Sequence, residues 1–401
     1  MDNNRKAIVN ANILTGTGAE MIRGGILLVE GDTITEVGAA NVPSDYEVID
    51  ANGMTVMPGL IDAHMHFFGA MQPRMFRTYA PELGLLKSIH DAKHLLECGF
   101  TTVRECGGMN GLYMRDAAKL GLIEGVPKII AAGHVLMPTN SGLDDPEMPV
   151  ENFNYDTNRA KEFLISDGVD ACLKNARRAI LKGGEFIKIF MTGNYAFPHC
   201  DDETLVYTDE EIKAIVAVAE NAHTYVAAHC MSDAACQQAI RCGVKSIEHT
   251  IGISEETAKL AAENGVTMTA ALTFVMCEPV LNQYAFDKIV RGYKAVRKAG
   301  GVLAIGSDMN SSPLFPLGKN AWELKYLVDY CGYSALEAVT IGTKNGAIAC
   351  RIEDRGTLEK GMKADIIFVN GDPSDDIGIL TEEQSIRKVF LDGELIVDKD
   401  C

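Results

Sequence analysis

Residue types that bind metals or move protons recur at one kind of position in this sequence, at the ends of short apolar runs. GLIDAHMH (59–66) closes on His64-Met65-His66, Ala227-Ala228 leads to His229, Ile247-Glu248 to His249, and Gly306-Ser307 to Asp308. A fifth run, Phe186-Ile187-Lys188-Ile189-Phe190, holds a lysine between large apolar residues. Imidazole and carboxylate are ordinary ligands of borderline divalent cations. In an extended segment residues i and i+2 share a side, so His64 and His66 can both turn toward one ion. Taken singly, each residue has a plainer reading: a hydrogen-bonded core histidine, a lysine snorkelling to water, an aspartate capping a helix. An interior lysine, by contrast, would tend to lose its proton. A neutral amine can add carbon dioxide to give a carbamate, an anion able to bridge two metals.

The elements that would hold these residues form a regular series. Candidate strands are GLIDAHMH (59–66), TTVREC (101–106), KIIAAG (128–133), FIKIFMT (186–192), TYVAAHC (224–230), KSIEHT (245–250), TMTAALT (267–273) and LAIGSDM (303–309), eight in number. Helical patterns separate them, and capping boxes are expected at Thr208 with Glu211 and at Ser334 with Glu337. This order predicts an α/β fold, a (β/α)8 TIM barrel over 59–350, whose active site lies at the C-terminal strand ends. Residues 1–58 and 351–401 are both rich in short β segments, which predicts a small composite β-sandwich domain built from the two termini. The stretch 134–167 shows no clear period and is expected to be a loop on the catalytic face.

With 401 residues, 37 Lys+Arg against 55 Asp+Glu, a net charge of −18 and 47% hydrophobic residues, the composition is that of a globular protein and not of a disordered chain. The acidic balance opposes generic binding to nucleic acid or to anionic membranes. No secretory leader pattern or long apolar run is evident, which predicts a cytoplasmic protein. The 11 cysteines are scattered without a C-x-x-C pair, so reduced structural thiols are expected.

Together PGLIDAHMH, FIKIFMTG, AAHC, SIEHT and GSDM, inside flanking β segments, make the chain resemble the amidohydrolase superfamily of metal-dependent hydrolases over essentially its whole length. The resemblance implies a binuclear centre with His64, His66 and Asp308 on one metal, His229 and His249 on the other, and carboxylated Lys188 and a hydroxide bridging both. Zinc is the expected metal, with Mn or Co able to substitute. Metal coordination lowers the pKa of water from about 15.7 toward about 7, and Asp308 would pass the nucleophile's proton to the leaving nitrogen.

TTVREC and the spacing from KIFMTG to AAH are similar to the prolidase-like and imidazolonepropionase-related branch. Lys188 favours a binuclear dipeptidase or N-acyl-amino-acid hydrolase over a cyclic amidohydrolase or heterocycle deaminase. A departure stands at Pro138-Thr139-Asn140-Ser141-Gly142, where many dipeptidase relatives carry Gly-Gly-His, so substrate contacts from that loop do not carry over. Further pocket candidates are Tyr195 and His199, after the fourth strand, and Arg104, near the end of the second. Tyr195 would hydrogen-bond a carbonyl or carboxylate, or pack the loop. Arg104 would pair with a substrate carboxylate or with a neighbouring acidic residue. His90, His94 and His223 fall in helical stretches and read as surface or packing residues. The substrate is expected to be a small molecule, and the acidic surface permits a homo-oligomer.

Overall fold

Val, Ile and Thr are dense in residues 5–58, and glycines and turns divide them into strands β1 (Arg5–Ile13), β2 (Ile22–Glu30), β3 (Thr33–Val37), β4 (Glu47–Asp50) and β5 (Thr55–Pro58). The computed structural model describes residues 5–68, 80–141, 162–193 and 201–400. Next come β6 (Leu60–Met65), β7 (Phe100–Glu105), β8 (Lys128–Ala131), β9 (Val135–Met137), β10 (Phe163–Ile165), β11 (Ile187–Phe190), β12 (Val226–His229), β13 (Ser246–Glu248), β14 (Thr267–Ala270) and β15 (Val302–Ile305). The chain ends with β16 (Ile366–Val369), β17 (Ile386–Leu391) and β18 (Glu394–Asp398).

Both ends of the chain meet in one sheet of order β18-β17-β16-β5-β1-β2-β3, with β4 parallel to β1. Antiparallel pairing of β5 with β16, from Thr55 opposite Val369 to Pro58 opposite Ile366, joins the N-terminal part to the C-terminal part. The sheet buries Ile8, Leu27, Val56, Phe368 and Phe390 in a cluster of their own. Gly59 carries the chain from β5 into β6. A Cβ at this position would lie 2.1 Å from Thr101 Oγ1, so the crossing needs a residue without a side chain.

The remaining strands form two parallel sheets, β6-β7-β8 and β10-β9-β11-β12-β13-β14-β15. β6, β7, β11, β12, β13 and β14 are buried at every residue, the pattern of parallel strands covered on both faces. Backbone hydrogen bonds join the two sheets on both sides. Glu185 N–H donates to Ala131 O (2.9 Å) on one side, and Asp308 N–H donates to His64 O (2.9 Å) and His66 N–H to Met309 O (2.8 Å) on the other.

All eight expected parallel strands are present. The stretch 134–167 differs from the expected loop, because β9 and β10 lie near its two ends. Each is three residues long, too short for a period to show in sequence. Residues 142–161, including Gly142, fall outside the described residues. Both capping boxes are formed: Thr208 N–H donates to Glu211 Oε2 (2.8 Å) and Ser334 N–H to Glu337 Oε2 (2.7 Å), with the hydroxyls accepting in return. His223 is not in a helix. It follows helix Asp209–Asn221 with φ of 56°, where a turn redirects the chain. The nine described cysteines are free, and eight of them are buried. Among the described residues no helix is long and apolar enough to cross a membrane.

Candidate metal centre

The C-terminal ends of the parallel strands bring His64, His66, Lys188, His229, His249 and Asp308 to one end of the sheets. Asp308 is the meeting point. Its Oδ1 stands 3.2 Å from His66 Nε2 and 3.5 Å from His64 Nε2, and its Oδ2 stands 3.7 Å from His249 Nδ1. The ligand atoms of His64, His66 and Asp308 all lie within 4.8 Å of one another. The His249 ring centroid lies 4.6 Å from that of His64 and 4.7 Å from that of His229, which packs on Phe190 at 4.5 Å. Lys188 is 1% exposed, and its charge opposes protonation of His64, His229 and His249.

Two of these residues reach the site through unusual backbone. His249 has φ of 71° and Asp308 φ of 55°, a left-handed conformation that costs a non-glycine residue on the order of 1–3 kcal/mol. Specific bonds hold it: Tyr293 OH donates to His249 O (2.9 Å), and Asp308 N–H donates to His64 O. Gly306 lets the strands approach this closely, since a Cβ there would lie 2.5 Å from Thr269 Cβ and 2.9 Å from His64 Cβ.

The donors are set for a cation. His66 Nδ1–H donates to Gly107 O (3.0 Å), and His64 Nδ1–H donates to Glu248 Oε2 (2.6 Å), so both rings turn Nε2 toward Asp308. A carbonyl and an ionised carboxylate can only accept, which fixes the tautomers. Burial, reinforced by Lys188, pushes His64 and His229 well below the usual histidine range. Burial and the His64 imidazole do the same to His249, so these three rings are neutral at pH 7. His229 Nε2 is buried with no hydrogen-bond partner among the described residues. An orphaned nitrogen of this kind costs about 1–3 kcal/mol, which coordination to a cation would recover. Imidazoles around one carboxylate, in a buried site, fit a divalent metal ion.

Two carboxylates that the sequence reading left out organise this set. Glu248 accepts from His64, from Thr269 Oγ1 (2.8 Å), from Ser246 Oγ (2.6 Å) and from Arg104 (2.8 Å). Burial alone would push its carboxyl up, but Arg104, Lys188 and these hydrogen bonds hold it below the usual range and therefore ionised. Asp62 accepts from His64 N–H (3.0 Å), Ser307 Oγ (2.5 Å) and Asn320 Nδ2 (2.7 Å), tying β6 to the segment that carries Asp308. The signal available in sequence was an acidic residue one or two places before a candidate ligand, inside an apolar run.

Arg104 is not a substrate contact. Its guanidinium is 0% exposed and is shared among Ala63 O, Tyr225 OH (3.2 Å), Ser246 Oγ (3.2 Å), Ala349 O (3.0 Å) and Glu248. It pairs with Glu248 beneath the candidate ligands, because its side chain is fully buried among the strands. Tyr195 and His199 fall outside the described residues.

Parallel strands ending in these histidines and Asp308 belong to a hydrolytic enzyme that acts on C–N bonds, as its match to the amidohydrolase family and to hydrolase relatives shows. The amidohydrolase family model matches residues 55–396, and the chain belongs to that family. It is 27% identical to ochratoxinase of Aspergillus niger over 98% of this chain and 87% of that one. The crystal structure of A. niger ochratoxinase superposes with a TM-score of 0.88, covering 98% of this chain and 96% of that one. The crystal structure of a prolidase complexed with N-methylphosphonate-L-proline is 26% identical, with a TM-score of 0.86 and coverage of 98% and 100%. The imidazolonepropionase of Clostridium tetani is 22% identical over 94% of this chain and 92% of its own.

Proposed function

We propose that the chain is a binuclear metal-dependent amidohydrolase that cleaves the amide bond of a dipeptide or an N-acyl amino acid. The observation that carries this reading is the convergence of four histidines, an interior lysine and an aspartate, with the His64 and His66 tautomers oriented to coordinate. His64, His66 and Asp308 would hold one ion, His229 and His249 the other. A carbamate on Lys188 Nζ, formed by addition of carbon dioxide with loss of one proton, would serve both. A divalent metal such as zinc held by these residues would supply a hydroxide at neutral pH and Lewis-acid polarisation of a carbonyl. Asp308 takes the nucleophile's proton on its carboxylate and gives it to the departing nitrogen, so that the amine leaves neutral. Glu248 and Gly107 hold the imidazoles in the required tautomer throughout, and Asp62 fixes the distance between His64 and Asp308.

Identity to a prolidase and to ochratoxinase, both above one quarter, supports amide cleavage over the ring opening suggested by the imidazolonepropionase likeness. The same reading takes the architecture as one eight-stranded barrel over 59–350 with a β-sandwich domain from 1–58 and 351–401. The backbone bonds across both seams of the parallel sheets support the barrel.

Metal content and turnover, measured before and after chelation, test the reading. Two divalent ions per chain and activity restored by zinc are expected; turnover by the metal-free protein would overturn it.

A further inference from the structure

We propose that His94, Cys98 and Glu383 form a second metal site, remote from the strand ends, that binds a thiophilic divalent ion such as zinc and ties a barrel helix to the C-terminal segment. His94 lies in the last turn of helix Pro81–Glu97 and Cys98 is its C-terminal cap, four residues on and therefore on the same face. His94 Nε2 stands 3.8 Å from Cys98 Sγ. An ion with about 2.0–2.1 Å to nitrogen and about 2.3 Å to sulfur, bound tetrahedrally, needs a separation of about 3.6 Å. A carboxylate oxygen of Glu383, just before β17, lies within 4.8 Å of both. Glu383 is half-exposed.

A Cβ at Gly318 would lie 2.5 Å from His94 Nε2, so the imidazole can take this position only against a residue without a side chain. Glu97 Oε2 stands 3.6 Å from His94 Nδ1 and backs the imidazole from the other side. Lys399 Nζ donates to Glu97 O (3.1 Å) and Glu383 O (2.9 Å), which already holds the C-terminal segment against the helix end. The same ammonium is 3.5 Å from Glu383 Oε1, so an ion must compete with it and the affinity is moderate. Three protein ligands leave a fourth position for water. The thiol separates this site chemically from the imidazole and carboxylate set proposed for catalysis.

Chelator-stripped full-length protein titrated with Co2+ should develop a thiolate charge-transfer absorption that saturates one equivalent beyond the ions taken up at the strand ends. The band should vanish in Cys98→Ser and persist in His64→Asn. In His94→Gln and Glu383→Gln, whose side chains are partly exposed and leave the fold intact, the apparent Kd should rise about tenfold or more. Absence of the band in the wild type, its survival in Cys98→Ser, or its loss in His64→Asn would overturn the proposal. Failure of the hydrolase reading would leave this titration unchanged.

Discussion

Glu248→Gln removes a charge without changing shape, and the consequences can be worked out from its four partners. One oxygen of the amide can still accept from Arg104 and Ser246. The NH2 group then faces His64 Nδ1 and Thr269 Oγ1, which both donate to Glu248 in the wild type. His64 must move its proton to Nε2, the nitrogen 3.5 Å from Asp308, and so loses its lone pair for the metal. Loss of such a supporting carboxylate costs about 10–100-fold in metal affinity, or about 1.4–2.8 kcal/mol. Arg104 also loses its counter-charge while 0% exposed, which destabilises the fold by up to about 3–5 kcal/mol. Both are measurable, by competition with a chromophoric chelator and by urea unfolding of the metal-free protein. Affinity within twofold of wild type, in a folded variant, would refute the argument that Glu248 sets the tautomer.

Asp308→Asn should abolish turnover while leaving much of the metal bound, as read by metal analysis of the dialysed protein; near-normal turnover would defeat its role as the proton carrier. Asp62→Ala leaves the donors on His64, Ser307 and Asn320 unsatisfied and should cost at least about 3 kcal/mol, seen as a lower urea midpoint. Glu323 predicts a pH effect. It is fully buried and accepts from Leu272 N–H (2.8 Å) and Thr273 N–H (2.7 Å), and burial pushes its carboxyl up to about 7. The unfolded chain ionises this group near 4.3, so its contribution to stability is fully present below that pH and is lost as pH rises through about 7, by about 4 kcal/mol. The difference in unfolding free energy between pH 4 and pH 8 should therefore shrink by that amount in Glu323→Gln, and an unchanged difference would contradict it.

The eight parallel strands were legible because each apolar run is long enough to register, and five of the eight carry a candidate ligand at or near their ends. Three-residue β9 and β10 fall below that length. Arg104 was legible as a charge in a strand but not as an internal one, since its partner Glu248 is 144 positions away. The same holds for Asp62, whose partner Ser307 lies 245 residues further on. Pairings at that range come from the closing of the sheets, which no local pattern displays. The left-handed backbone of His249 and Asp308 was equally hidden, because neither is glycine and the surrounding bonds impose the conformation.

The most direct test of the central claim is mass spectrometry of a pooled set of dipeptides, N-acyl amino acids, cyclic ureides and aminoheterocycles incubated with zinc-loaded protein and bicarbonate. Splitting of a dipeptide or N-acyl amino acid into two fragments whose masses sum to substrate plus water is the predicted result. Gain of water without fragmentation, or replacement of an amino group by oxygen, would contradict the account and assign the site to ring opening or deamination.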